Sequence, residues 1–387
     1  MIPPFDAQRL DALMEEADID IVLASSKFNL QYLLGGYRYF FFENMDAIGV
    51  SRYLPMLGYR RGRLDDAFYV GAGNENWGTD VWDFWVPEVL DVAWTSVRAA
   101  EVAAVALRAR HLEGATIAIE TSFLPADAMD LLRAELPNAR FTSAQRVLEE
   151  LRSVKTPVEL ELIAAASEKV VDSFVATFAA VGPGMTKQQI GEVLRQEETR
   201  RGLVFDYALV TCGTDFNRAP AQGRVWEVGQ SLSLDSGGMY RGYIGDLARM
   251  CIATEPTKLQ VELIEDLEQV QQAARTAIFA GNPGEEIFVN AQVALDEARH
   301  ATELKFVAHA MGLISHEAPR LTATGPIPYP ADHAKIPLET GMVLSIESWT
   351  EHHEAGFIKL EDTLIVTDNG WYAPGDTARG WNPCAVS

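Results

Sequence analysis

The chain has 387 residues, of which 48% are hydrophobic, and a formal net charge of −23. This acidity excludes nucleic-acid binding through clustered Lys and Arg, and it disfavours attachment to anionic membranes. We expect a globular cytoplasmic protein. Cys212, Cys251 and Cys384 form no close pair, the first residues lack a secretory signal pattern, and no apolar run is long enough to span a bilayer.

The first half of the chain alternates helix-like and strand-like segments. An amphipathic pattern predicts a helix over residues 6–17, and apolar runs predict strands at 19–25, 67–73 and 116–120. These segments predict a compact α/β domain over residues 1–152.

Three helix starts in the second half share one pattern, in which a Thr that can cap the helix is followed three residues later by Glu or Gln. The pairs are Thr156 with Glu159, Thr186 with Gln189, and Thr257 with Gln260. Strand-rich segments lie between and after these helices. The chain is therefore predicted to be α+β, with a second domain over residues 153–387 in which helices cover a mostly antiparallel sheet.

Residues 230–253 predict a hairpin with a Gly-rich turn. Leu232 and Leu234 point to one face of its first strand, and Asp235 points to the other. If the turn is centred between Tyr240 and Arg241, Asp235 lies directly opposite Asp246. Directly opposed residues have Cβ atoms ~4.5–5.5 Å apart, where two like charges destabilise the pair. A divalent cation between the two carboxylates reverses that effect.

A second hairpin near the end of the chain repeats the arrangement. If its turn is centred on Glu354, Glu347 lies opposite Glu361. Together with His309, the two hairpins present an acidic pair each and one imidazole, which is a ligand set for two divalent ions. Oxygen-rich ligation with one imidazole suits Mn, Co, Zn or Fe. Two such ions ~3.5–4 Å apart can hold a bridging water and lower its pKa.

Four ordered motifs resemble those of one metallopeptidase family, which includes prolidase, aminopeptidase P, methionine aminopeptidase and creatinase. The motifs are D-S-G-G-M-Y-R-G-Y-I-G-D-L-A-R (235–249), A-H-A-M-G-L-I-S-H-E-A-P (308–319), G-M-V-L-S-I-E (341–347) and K-L-E-D-T-L-I-V-T (359–367). The segment L-R-S-V-K-T-P-V-E-L (151–160) resembles the opening of the family's catalytic domain. The resemblance implies an N-terminal creatinase-like α/β domain followed by a pita-bread catalytic domain, whose curved antiparallel sheet is covered by helices.

By motif position, the resemblance also implies a role for each site residue. Asp235 would bind one metal ion, His309 and Glu347 would bind the other, and Asp246 and Glu361 would bridge both. A hydroxide bridging the ions would attack the substrate. Glu347 would help to handle the proton of this nucleophile. His316 would be a substrate-side catalytic histidine that assists proton transfer or stabilises the tetrahedral intermediate.

Several positions depart from the family pattern. Ala221 stands where peptidases of the family carry a histidine in an N-x-x-x-H stretch. Lys359 replaces the usual Arg two residues before the last Glu, and Ala308 and Ala310 replace glycines beside the metal-binding His309. The lost histidine lies on the substrate side, so the departures concern the substrate more than the metals.

These observations leave several functions open. The first is an Xaa-Pro dipeptidase or aminopeptidase-type peptidase. The second is a non-peptidase C–N hydrolase of small molecules, similar to creatinase or ectoine hydrolase, and the third is a metal-dependent lyase similar to dimethylsulfoniopropionate lyase. A metal-binding protein without turnover remains a further alternative. The expected partners are a small molecule or short peptide and a second copy of the chain in a homodimer.

Overall fold

The computed structural model describes residues 2–43, 45–325 and 330–384. Within these ranges the chain forms two compact units, Met1–Arg152 and Ser153–Ser387. No helix in the described ranges is long and apolar enough to cross a bilayer.

The first unit has the predicted α/β character. Its helices are α1 (Ala7–Glu16), α2 (Lys27–Leu33), α3 (Asn76–Thr79), α4 (Ser96–Ala109), α5 (Ala126–Glu135) and α6 (Gln145–Ser153). Its strands are β1 (Ile21–Ala24), β2 (Ala47–Ile48), β3 (Ser51–Arg52), β4 (Met56–Arg60), β5 (Arg63–Gly71), β6 (Glu88–Asp91), β7 (Thr116–Ile119) and β8 (Arg140–Ser143).

A mixed sheet forms the centre of this unit. Among the described residues its strand order is β6-β5-β4-β1-β7-β8, with β1 antiparallel to β4 and parallel to β7. The two central strands β1 and β7 are short, mostly apolar runs because both faces of the sheet are buried there, and all four residues of each are buried. Ala100 and Ala103 of α4 pack on this sheet in one core with Ile21 and Leu23.

The second unit is built on a larger, mostly antiparallel sheet. Its helices are α7 (Pro157–Phe178), α8 (Lys187–Arg200), α9 (Lys258–Arg275) and α10 (Glu285–Glu297). Its strands are β9 (Val204–Cys212), β10 (Ser231–Tyr240), β11 (Tyr243–Ile252), β12 (Leu304–Ala310), β13 (Val343–His352), β14 (Gly356–Thr367), β15 (Gly370–Tyr372) and β16 (Trp381–Pro383).

The predicted helix starts of this unit are confirmed. Thr156, Thr186 and Thr257 each accept a hydrogen bond from the backbone N–H three residues later, and the Glu or Gln at that position accepts one from the N–H of the Thr. These reciprocal bonds satisfy N–H groups that have no partner within the helix, so the local sequence fixes where α7, α8 and α9 begin.

The sheet of the second unit has an apolar face and a polar face. Its main strand order in the described residues is β12-β13-β14-β11-β10-β9. Leu232 and Leu234 pack under α7 and α8, and Leu344 and Ile346 pack under α9 and α10. Strand residues alternate between faces, so the residues between these leucines and isoleucines point to the opposite side. That side carries the predicted site residues.

Candidate metal centre

The register predicted for the second hairpin is confirmed. β13 and β14 pair with Glu347 opposite Glu361, and the pairing continues to His352 opposite Gly356. The turn is therefore centred on Glu354, as the sequence predicted. The carboxylates of Glu347 and Glu361 lie side by side on the polar face.

The register predicted for the first hairpin is wrong, because the turn is centred one residue later than predicted, between Arg241 and Gly242. Asp235 pairs with Ala248, and Asp246 pairs with Gly237. The turn residues are Arg241 and Gly242, which both have positive φ, at 51° and 85°. A tight hairpin turn with two positive φ angles favours Gly at its second position, and Gly242 supplies it. The shift moves Asp246 by two residues relative to Asp235, so both still point to the same face.

The corrected register places the predicted ligands in two neighbouring rows across the sheet. In the first row, Glu347 pairs with Glu361, Glu361 with Ala248, and Ala248 with Asp235. The methyl group of Ala248 is the smallest side chain of this row. It leaves open the space between the carboxylates on either side of it.

The second row contains the imidazole and the remaining carboxylate. His309 of β12 pairs with Ser345, and Asp246 pairs with Gly237, which in turn pairs with Tyr207. The Ser345 hydroxyl donates to Oε1 of Glu361 over 2.8 Å, which ties the second row to the first.

Asp246, His309 and Glu361 form a buried cluster that fits a divalent ion. One ligand atom from each residue lies within 4.8 Å of those of the other two. Nε2 of His309 is 3.2 Å from Oε1 of Glu347, and within the described residues it has no hydrogen-bond partner. A buried imidazole nitrogen without a hydrogen bond, facing carboxylate oxygens, has the chemistry of a ligand for Mn, Co, Zn or Fe.

Lys359 lies inside the same carboxylate cluster. Its Nζ is 2.6 Å from Oδ2 of Asp235, 2.7 Å from Oε2 of Glu347 and 2.8 Å from Oε2 of Glu361. Strand alternation puts Lys359 on the same face as Glu361, two residues along β14. Lys359 was singled out from the sequence only as a replacement of the family's usual Arg, and its contact with the predicted ligands was not predicted.

Burial and charge set the ionisation of this cluster. Burial raises the pKa of Asp235 and that of Asp246, whose pKa Glu361 raises further. Burial would raise the pKa of Glu347 as well, but Lys359 and His309 outweigh it and hold that pKa well below its usual value. For Lys359 burial lowers the pKa, yet the surrounding carboxylates keep it well above its usual value. The lysine is therefore a fixed cation within the site.

Two histidines stack beside the cluster. The rings of His309 and His316 lie 3.9 Å apart between centroids. Burial lowers the pKa of His309, but hydrogen bonds to the carboxylates of Glu347 and Glu361 outweigh this effect and raise the pKa to about 10. Burial and the charge of His309 lower the pKa of His316 to about 4. At neutral pH His316 is a neutral imidazole, with one ring nitrogen that donates a hydrogen bond and one that accepts.

Tyr207 is a site residue that the sequence analysis missed. Its hydroxyl donates a hydrogen bond to Oδ1 of Asp246. The ring crosses Gly237, where an added Cβ would lie only 2.5 Å from the Tyr207 ring. The Gly of the D-S-G motif therefore makes room for a tyrosine that orients a ligand carboxylate, and the pairing of β9 with β10 is needed to see it.

Arg249, the last residue of the first motif, fixes the strand that carries Glu361. It is fully buried and donates to the backbone oxygen of Glu361 over 2.8 Å and to Oδ1 of Asp362 over 2.8 Å. Arg275 of α9 donates to the other oxygen of Asp362 over 3.0 Å. These buried charge-assisted bonds hold β14 against β11 and α9. The bonds of Asp362 therefore help to fix the position of the adjacent Glu361.

Comparison with known families decides the classification. Residues 161–368 match the metallopeptidase family M24, and residues 7–154 match the creatinase/prolidase N-terminal domain. The chain belongs to metallopeptidase family M24. Members of this family depend on divalent metal ions, in agreement with the cluster of Asp246, His309 and Glu361.

Individual relatives agree with this classification. An Xaa-Pro dipeptidase of Lactobacillus helveticus is 28% identical over 307 residues, which cover 78% of each chain. The fold is similar to that of an X-Pro aminopeptidase from Thermotoga maritima MSB8, with a TM-score of 0.77 and 19% identity over 97% of this chain and 98% of that one. An Xaa-Pro dipeptidase from Bacillus anthracis gives a TM-score of 0.78 and 20% identity over 98% of both chains. The predicted creatinase-like and pita-bread domains are thus confirmed.

The methyl groups of the two alanines beside His309 do not reduce the space around the candidate metal ligands. Ala308 and Ala310 alternate with His309 along β12, and both belong to the apolar core under α9 and α10. Their methyl groups point away from the ligands. Ala221 lies in the connection between β9 and β10 and is partly buried. Its role in substrate binding stays a prediction.

Glu198 lies behind the first M24 motif and makes the stability of the protein depend on pH. Its Oε1 is 2.7 Å from the hydroxyl of Ser236, and its side chain is inaccessible to solvent. Burial raises the pKa of Glu198 to about 7. The folded protein therefore binds this proton more tightly than the unfolded chain does. The free energy of unfolding should fall as the pH rises from 4.5 to 7.

We expect Glu198→Gln to remove this pH dependence. The shift from 4.5 to about 7 corresponds to about 3 kcal/mol, which the variant should gain over the parent at pH 8 and not at pH 4.5. Urea unfolding at both pH values measures the difference. Glu192→Gln on the same helix is the control, because Arg195 lowers the pKa of Glu192 and the change should have the opposite sign. Parallel pH profiles for the parent and Glu198→Gln would contradict the assignment.

Proposed function

We propose that the protein is an Xaa-Pro dipeptidase. The observation that carries the proposal is the buried cluster of Asp246, His309 and Glu361 in the fold of family M24, with His316 stacked against it. The relative from Lactobacillus helveticus, which matches across most of both chains, bears the same activity in its name. The non-peptidase hydrolase and the lyase are not favoured, because the relatives are named as peptidases.

The residues that would hold a divalent ion are Asp246, His309 and Glu361, with Oε1 of Glu347 beside His309. A divalent ion bound there would supply Lewis acidity for the peptide carbonyl and would make water more acidic. The ion is expected to be Mn, Co, Zn or Fe from the donor set. Tyr207 and Ser345 hold the carboxylates of Asp246 and Glu361 in fixed orientations, so the ligands are arranged before any ion arrives.

Two side chains are placed to contact the reacting groups. Glu347 is ionised, because Lys359 and His309 hold its pKa well below its usual value, and its carboxylate can accept a hydrogen bond from water and orient it. His316 is neutral, and its Nδ1 has no hydrogen-bond partner within the described ranges. Its ring N–H can donate a hydrogen bond to the developing oxyanion. Burial of the cluster excludes bulk water and strengthens these interactions.

A substrate panel tests the proposal. The purified protein, supplied separately with Mn, Co or Zn, is incubated with Ala-Pro, Leu-Pro, Ala-Leu and Ala-Pro-Ala, and released amino acids are measured. We expect metal-dependent release of proline from the Xaa-Pro dipeptides, with little release from Ala-Leu. Faster cleavage of the tripeptide would assign an aminopeptidase instead. Absence of cleavage in protein shown to contain metal would overturn the proposal, as would cleavage confined to non-peptide amides.

We further propose that the protein works in the cytoplasm as a homodimer. The location is supported by the buried free thiols of Cys212 and Cys251. The dimer is supported by the resemblance to the creatinase branch. Light scattering of the full chain at micromolar concentration tests the assembly, and a monomer mass would contradict it.

A further inference from the structure

We infer that each chain binds one divalent ion and that the ammonium of Lys359 holds the place of the second. The sequence predicts two ions, because two doubly charged cations balance the charges of Asp235, Asp246, Glu347 and Glu361. The structure shows a cation among these carboxylates already, and that cation is part of the chain. The inference rests on the proposed metal-dependent function, and it specifies which cation occupies the second position.

The carboxylate oxygens divide between two cation positions. Glu347 and Glu361 each turn Oε2 to the Lys359 ammonium, and each turns Oε1 towards Nε2 of His309, at 3.2 Å and 3.9 Å. The two glutamates therefore bridge two positions, as the carboxylates of a two-cation centre do. One position is lined by Asp246 and His309, and the other is filled by Nζ of Lys359.

The ammonium lies within ion-pair distance of three carboxylates, and it donates a hydrogen bond to Oδ2 of Asp235. An ammonium has three N–H groups and no acceptor, and Asp235, Glu347 and Glu361 offer it one oxygen each. Lys359 and Asp235 are both almost fully buried, so neither has water as an alternative partner. Ala248 lies between Asp235 and Glu361 in the same row, and its small side chain lets Nζ reach both.

A second divalent ion would have to take the same oxygens. The ion needs carboxylate oxygens at about 2.0–2.2 Å, whereas Lys359 holds them at 2.6–2.8 Å from its own charge. Both cations cannot occupy the position, and two unscreened positive charges side by side repel each other strongly in a buried site. The lysine lies on β14, between β11 and β13, and is almost fully buried.

The residue type at position 359 is therefore decisive. An arginine, the family's usual residue here, spreads its charge over a planar fork of donors and binds carboxylates from the side. A lysine places a compact point charge among the carboxylates. This changes the predicted role of Asp235 from a metal ligand to a partner of the lysine, and it leaves His309, Asp246, Glu361 and Oε1 of Glu347 for the ion.

Metal stoichiometry tests the inference independently of turnover. The metal-free full-length protein is titrated with Mn²⁺ by calorimetry, and bound metal is measured by elemental analysis after gel filtration. We expect about one ion per chain for the parent and about two for Lys359→Met, which removes the charge and keeps a similar length and burial. Electron paramagnetic resonance of the Mn²⁺ protein should show an isolated ion in the parent and a spin-coupled pair in the variant.

Lys187→Met is the matched control. Lys187 is also fully buried, and it pairs with Asp215 over 3.3 Å, outside the carboxylate cluster. Its replacement should leave about one ion per chain. Two ions in the parent would overturn the inference, even with full Xaa-Pro hydrolysis. One ion in the parent without any peptide hydrolysis would instead overturn the proposed function and leave the lysine's role standing. If Lys359→Met does not fold, the parent's stoichiometry and its resonance spectrum still decide.

Discussion

Replacing Asp246 with Ala is expected to remove both bound metal and turnover. Asp246 belongs to the cluster with His309 and Glu361, and its other contact is the hydroxyl of Tyr207. Without its carboxylate the ion keeps too few ligands to compete with water. We expect metal content below about a tenth of the parent's and Xaa-Pro hydrolysis reduced by at least about 10³-fold.

Asp246→Ala is expected to lose metal and turnover without losing stability. Burial and the charges of Glu361 and Asp235 raise the pKa of Asp246, so its charged form is unfavourable in the protein without metal. Metal-free Asp246→Ala should therefore unfold at a temperature no lower than the metal-free parent. Added Mn²⁺ should stabilise the parent and leave the variant unchanged, because only the parent binds the ion. This result would separate loss of the ion from loss of the fold.

Tyr207→Phe provides a graded comparison. The ring that crosses Gly237 stays, and only the hydrogen bond to Asp246 is lost. Replacing residues that orient metal ligands typically costs about 10–100-fold in metal affinity. We expect Tyr207→Phe to bind metal with an affinity reduced within that range and to recover turnover at high metal concentration.

Full turnover of Asp246→Ala in metal-free protein would end the metallopeptidase assignment of the site.

Local sequence was sufficient for the parts of this fold that local interactions decide. The starts of α7, α8 and α9 follow from capping boxes that are complete within four residues. The pairing of Glu347 with Glu361 follows from a short turn centred on Glu354. In both cases the residues that set the geometry are adjacent in the chain, so no knowledge of distant strands was needed.

The first hairpin shows where the same reasoning failed. The sequence prediction assumed a turn centred between Tyr240 and Arg241, a register that puts the two aspartates opposite each other. The structure uses Arg241 and Gly242, because glycine tolerates the positive φ that the second position requires. Turn chemistry was the better guide. The error preserved the convergence of the ligands only because a two-residue shift keeps each side chain on its face.

Contacts between strands that are distant in sequence were the least predictable part. Tyr207 reaches Asp246 only because β9 pairs with β10 across Gly237, and Lys359 reaches Asp235 only because Ala248 separates them. Strand alternation puts Lys359 on the face of Glu361, but that conclusion was not drawn from the sequence. The distances that make it a competitor for the metal position depend on the order of β14, β11 and β10 in the sheet.

His316→Ala is expected to keep the metal and lose most of the rate. His316 stacks on His309 at 3.9 Å but is not part of the cluster with Asp246 and Glu361. Its neutral imidazole can donate a hydrogen bond to the oxyanion, and the loss of one such donor lowers kcat by about 10²–10³-fold. KM should change little, because the interaction is made in the transition state. His352→Ala, which removes a buried histidine paired with Glu303 over 3.2 Å, should leave both constants near those of the parent. Metal content is measured in the same samples, since a parallel fall in bound metal would make His316 a ligand and would refute its role as a hydrogen-bond donor to the oxyanion.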